Sequence, residues 1–261
     1  MNRLACAVVF AFLSASLSFG QVTITGVGSV RTGFAVVTPL FGGGTGLNVS
    51  EMVSGSIGGN FVQTSVLPSP PITFTSVVVN FDTRSGVNTA IAIVNPNNGA
   101  AAVSLSLTDQ RGVPALITNM TIGGGKQVSR FATELFAGLP GFAGPFAGQL
   151  FVSSNVPIGV LGLAFNGSSF TSLPVATQSN STGPSATPFS LVGRNGVLLS
   201  QIATGGGWES RITIANTSPV PQVIRIDFFD SQGGPLALPI GSSVPSVTVP
   251  AGGVVSFSTT S

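Results

Sequence analysis

Histidine and tyrosine are absent from the 261 residues, and the only cysteine is Cys6. These absences remove most of the side chains used for acid-base, nucleophilic and thiolate-metal chemistry near neutral pH. Charge is also scarce, with nine basic and seven acidic residues making up 6% of the chain. That is too little for a charge-rich disordered tail, a coiled coil or a nucleic-acid-binding domain. Long apolar runs are missing too. The run from Leu4 to Leu13 falls short of the roughly 20 residues that a membrane-spanning helix needs. Trp208 is the sole tryptophan, which argues against the aromatic girdles of an outer-membrane barrel.

The N-terminus reads as an export signal over residues 1–20. Asn2-Arg3 is a short basic start, Leu4–Leu13 the apolar stretch, and Ser18-Phe19-Gly20 a small-x-small cleavage site. The mature chain is expected to begin near Gln21, secreted or at the cell surface, with no membrane span and no cysteine for a disulfide. Cleavage removes Arg3 and leaves eight basic against seven acidic residues. The basic residues are scattered singly, so no footprint for nucleic acid follows. A surface so poor in charge repels its own copies weakly, and self-association is an expected behaviour.

What the chain does have is 43% hydrophobic residues, 35 glycines and 18 prolines. Short apolar alternations between Gly, Pro, Asn and Ser clusters predict an all-β protein of antiparallel sandwiches. One buried set is expected to be Ile72, Phe74 and Val78. Others are Ile91 with Ile93, Val103 with Leu105 and Leu107, Ile212 with Ile214, and Ile224 with Ile226 and Phe228. The one helix-like stretch is Phe131 to Phe136, about a single turn.

Two regions repeat. A shift of 121 places Gly86 on Gly207, Ile91 on Ile212, Asn95 on Asn216, Leu105 on Ile226, Asp109 on Asp230 and Gly112 on Gly233. Because a one-residue slip would turn each strand inside out, this agreement points to a repeated hairpin. Asp109–Gly112 and Asp230–Gly233 read as its turns. Further on, Gly124-Gly125 matches Gly252-Gly253 at a shift of 128. The predicted organisation is an N-terminal β segment over 21–71, a first sandwich over 72–177, a Ser/Thr/Pro linker over 178–190 and a second sandwich over 191–261. Both sandwiches are expected to be immunoglobulin-like. The second is short of strands, so either the N-terminal segment, including Gly33–Val37, or a partner chain should complete it.

Several stretches carry a resemblance: Thr32–Pro39, Val49–Glu51, Val87–Asn97, Val156–Leu163 with Phe170–Val175, and Gly205–Trp208. Together they resemble a family of repeated β-sandwich modules in secreted soil-bacterial proteins with no established activity. The resemblance implies fold and export, and brings no active site.

Candidate chemistry is thin. Glu209, Asp227 and Asp230 could form a carboxylate pair or a calcium site, but Asp227 falls on the solvent face of its strand and Asp230 in a turn. Gly123-Gly124-Gly125-Lys126 matches only part of a phosphate loop, lacking the following Ser/Thr and helix. The Phe136–Phe146 loop either inserts into a partner or folds over its own core. Trp208, after three glycines, is the one candidate ligand-binding residue, a stacking platform for a sugar or else a packed seal. No catalytic residue, cofactor or metal ligand is assigned. The expectation is a non-enzymatic structural, adhesion or assembly protein, with a carbohydrate-binding accessory module using Trp208 as the alternative. Its partner would be another copy of itself or a surface polysaccharide.

Overall fold

The computed structural model describes residues 34–35, 49, 51–57, 60–66, 69–82, 84–137, 144–167, 169–177, 210–226 and 246–258. All belong to the larger of two contact-defined units, Gly33–Ser261. Their order is β1 (Glu51–Ile57), β2 (Asn60–Val66), β3 (Ile72–Phe81), β4 (Val87–Asn95), β5 (Ala101–Asp109), β6 (Pro114–Ile122), β7 (Lys126–Phe131) and α1 (Ala132–Leu135). Then come β8 (Phe146–Asn166), β9 (Ser169–Leu173), β10 (Ala176–Thr177), β11 (Arg211–Ala215), β12 (Gln222–Arg225), β13 (Ser246–Val249) and β14 (Val254–Ser258). The described chain is nearly all β with antiparallel pairing, and its short helix sits where one turn was expected. There Glu134 accepts the Phe131 amide at 2.9 Å.

One strand organises the rest. The first part of β8, Phe146–Ser154, lies between β3 and β5, and β6 and β10 extend that sheet at either side. Its later part, Gly159–Asn166, pairs with β4. There β7 and β9 flank the second sheet. The changeover falls at Asn155-Val156-Pro157, where a proline without an N–H suits a strand leaving one ladder for another. The Pro157 carbonyl accepts Asn97 Nδ2 at 2.8 Å.

Between the two sheets lies a single core. Val77, Val79 and Phe81 of β3, Val103, Leu105 and Leu107 of β5, and Leu150 and Val152 of β8 meet Ile91 and Ile93 of β4 and Val160 of β8. The sheets approach closely at Gly162, whose place could not take a side chain: a Cβ there would lie 2.5 Å from Val77 Cγ1. The sets expected on β4 and β5 are buried as read. On β3 the expectation is reversed. Val77, Val79 and Phe81 face the core, while Phe74 and Val78 lie on the opposite face. The run Val77-Val78-Val79 offers apolar side chains to both faces, and the large ring of Phe81 goes to the core side, where it stacks on Phe146 with centroids 5.4 Å apart.

Phe34 and Ala35 are exposed and outside any strand, and the rest of the Gly33–Val37 stretch lies outside the described residues. The described N-terminal strands β1 and β2 pair with each other and lean on β9, where the Ser172 amide donates to Thr64 Oγ1 at 3.2 Å. They do not stand beside β14, which pairs with β11. The remaining C-terminal strands, β12 and β13, form a second antiparallel pair. The signal segment 1–20 and the linker 178–190 lie outside the described residues.

A buried asparagine fastens the β4–β5 and β6–β7 connections. Asn95 Nδ2 donates to the carbonyls of Gly99 (2.7 Å), Ile122 (2.9 Å) and Gly123 (3.2 Å), and its Oδ1 accepts the Asn97 amide at 3.0 Å. Asn216 makes the matching set, donating to Val220 (2.9 Å), Val249 (3.2 Å) and Pro250 (2.9 Å) and accepting the Ser218 amide at 2.9 Å. These bonds correct the second half of the alignment. Gly125 corresponds to Gly252, a shift of 127 rather than 128, and the two have φ of 63° and 62°.

Removing this amide should cost more than removing an exposed apolar side chain. We expect Asn95→Ala to destabilise by about 1–3 kcal/mol through the carbonyls left unpaired, and Asn95→Asp by more, because a carboxylate would face three carbonyl oxygens. Leu105→Ala, at a site with no solvent exposure, should cost about 2–5 kcal/mol, and Ile117→Ala, 60% exposed, within about 0.5 kcal/mol. Urea unfolding of the four variants checks the ranking.

Candidate interaction surfaces

The residues first considered for chemistry fall into two groups. Trp208, Glu209, Asp227, Asp230 and Phe142 lie outside the described residues. The others have structural partners. Gly123–Lys126 is the tight connection between β6 and β7, with Gly125 in the left-handed region and Lys126 N donating to Gly123 O at 3.2 Å. It opens a strand and not a helix, so the phosphate-loop reading falls away. Phe136 is completely buried and Phe146 stacks on Phe81. Two of the three rings proposed for insertion into a partner are therefore committed to their own core. Among the described residues no three His, Cys, Asp or Glu side chains gather into a metal site.

Two of the described carboxylates, Asp109 and Asp82, hold turns. Asp109 Oδ1 accepts the amides of Arg111 (2.8 Å) and Val113 (2.9 Å), and its Oδ2 pairs with the Arg111 guanidinium at 2.9 Å. This closes the β5–β6 turn anticipated at Asp109–Gly112. Partial burial pushes the Asp109 carboxyl upward, but the Val113 and Arg111 hydrogen bonds and the guanidinium charge together outweigh it and hold the pKa below the ordinary value. Asp82 behaves likewise beside Arg84, whose amide bond is the largest influence.

That turn is also a contact surface. Val254 N donates to Gln110 O at 3.0 Å, and Thr108 Oγ1 donates to Gly252 O at 2.8 Å. The fit depends on absent side chains. Gly112 has φ +81°, and a Cβ on it would stand 1.7 Å from Ala251 O; a Cβ on Gly253 would stand 2.6 Å from Gln110 O. The turn between β5 and β6 is thus seated against the turn between β13 and β14. Gly252 also lies against the ring of Phe151, on the outer face of the first sheet. Sequence reasoning read these glycines as turn formers and missed that three of them, Gly112, Gly252 and Gly253, converge on one joint. Contact between distant turns leaves no local pattern to find.

No family model matches the chain, and no curated protein does. Among solved structures, the crystal structure of Thermotoga maritima 1070 aligns with 41% of this chain and 91% of that one, at 13% identity and a TM-score of 0.30. A likeness of that size assigns neither fold nor function.

The Asp109 cluster predicts an acid dependence with a definite sign. A carboxylate with a depressed folded pKa contributes stability that is present at neutral pH and lost as the pH falls below 3.8 through the folded value. Wild-type stability should therefore drop more steeply on acidification than that of Asp109→Asn, measured as urea midpoints across that range.

Proposed function

We propose that this chain is an exported structural protein of the cell surface or extracellular space, acting in adhesion or assembly. In this reading it comprises two immunoglobulin-like β-sandwich modules, over 72–177 and 191–261, from a duplicated hairpin. It belongs with the secreted soil-bacterial modules it resembles. The observation that carries the proposal is the joint between the turns at Gly112 and Gly252-Gly253. There the chain devotes backbone groups and glycines to bringing two distant stretches of β structure into close contact, which suits a structural role. The equivalent bonds of Asn95 and Asn216 support the duplication, and the two sheets sharing β8 support the sandwich.

Disturbing the joint is the test. Gly112→Ala places a methyl group on the Ala251 carbonyl in a left-handed backbone and should cost more than about 1 kcal/mol. It should also split one calorimetric unfolding transition into two. Gly55→Ala, with nothing within 4 Å of the new methyl, should leave a single transition. A strain of the source bacterium lacking the protein should lose surface attachment or cell aggregation while growing normally, with rescue by wild type and not by Gly112→Ala. Secreted material should begin at Gln21. Unchanged attachment in the deletion strain, or substrate turnover by the purified protein, would overturn the proposal.

A further inference from the structure

The outer face of the first sheet carries a row of side chains that cross four strands in register. Asn119 of β6 stands opposite Ser104 of β5, Ser104 opposite Ser153 of β8, and Ser153 opposite Phe74 of β3. Adjacent strands lie roughly 4.8 Å apart, so the row spans about 14 Å. Over its polar part lies an open hollow of about 480 Å³, to which Thr121 and Asn155 also contribute. Asn155 Oδ1 is engaged by the Ala102 amide at 2.8 Å, which leaves its Nδ2 group to donate. No side-chain hydrogen bond is formed by Ser104, Asn119, Thr121 or Ser153 among the described residues. At the other end of the row, Phe74 is partly exposed and stacked with Phe151, centroids 5.9 Å apart and planes 30° apart.

This combination selects a ligand class. No charged side chain lines the hollow, so neither an anion nor a cation finds its counter-charge. Hydroxyls and amides that both donate and accept, next to one aromatic face, match a chain of neutral sugar rings: the hydroxyl edges meet Ser and Asn, and the apolar face of a ring meets Phe74. A length near 14 Å favours an oligosaccharide over a monosaccharide. We infer that the Asn119–Ser104–Ser153–Phe74 row is a binding groove for a neutral polysaccharide. The described residues that form this groove supply it without Trp208, and the inference does not rest on the contact between the turns.

Calorimetric titration of the mature protein with cellohexaose, maltoheptaose and xylohexaose, and with hexagalacturonate as the anionic counterpart, tests it. At least one neutral oligosaccharide should bind and the anionic one should not. Asn119→Ala, at an exposed position that leaves the core untouched, combined with Ser104→Val should weaken binding by about tenfold or more, a difference of about 1.4 kcal/mol. Trp208→Ala should leave it unchanged, and chemical-shift changes should centre on the Asn119 and Asn155 side-chain amides. Should none of the neutral sugars bind, should the double variant bind as wild type, or should binding vanish only in Trp208→Ala, the inference is overturned.

Discussion

The two sheets that enclose the core are joined through one strand, β8. In its first half this strand forms the centre of one sheet, and in its second half it gives β4 and β9 their partner in the other. The core between the sheets is closed because one continuous backbone belongs to both. Leu150 and Val152 on one side of the changeover and Ile158 and Val160 on the other are all buried, so the strand places apolar side chains in the core from both sheets. With Cys6 the only cysteine, no disulfide within the chain ties the layers together. Burial and this shared strand do so instead, reinforced where Asn95 draws three carbonyls onto one amide.

The same economy of chemistry marks the contact between turns. Its hydrogen bonds are backbone to backbone or hydroxyl to backbone, and its closeness comes from glycine. Such a contact is sensitive to shape and almost indifferent to salt. That fits a chain in which the two described ion pairs, Arg84 with Asp82 and Arg111 with Asp109, are local and exposed on the arginine side and contribute little by attraction between distant elements. The neutral groove extends the theme, since recognition there would rest on hydroxyls, amides and one aromatic pair.

Much of the fold was legible in the sequence, and the misreadings have physical causes. Period-two burial on β4 and β5, the Asp109–Gly112 turn and the single helical turn all follow from local rules. The face of β3 did not, because three consecutive valines make both faces apolar and the choice falls to Phe81, whose partner Phe146 is far along the chain. Nor did the continuity of β8 show. Asn155 and Pro157 interrupt the apolar alternation, yet the backbone continues through them and changes sheet. The register beyond the β6–β7 turn slipped by one because adjacent glycines are interchangeable in a pattern; only φ and the carbonyls bound by Asn95 and Asn216 tell them apart. The groove was invisible for a similar reason. Ser104, Asn119, Ser153 and Phe74 are unremarkable on their own strands and become a set only through cross-strand register.

The account stands most directly on the contact of the β5–β6 turn with the β13–β14 turn as a fixed feature of the protein in solution. Amide hydrogen exchange of Val254 measures it, since that residue opens β14 directly after the β13–β14 turn and its N–H donates to Gln110 O. A seated joint predicts that Val254 exchanges as slowly as neighbouring amides paired within β14. Exchange at the rate of an unprotected turn, with the amides of β8 still protected, would mean that the two turns part freely and would contradict the rigid arrangement.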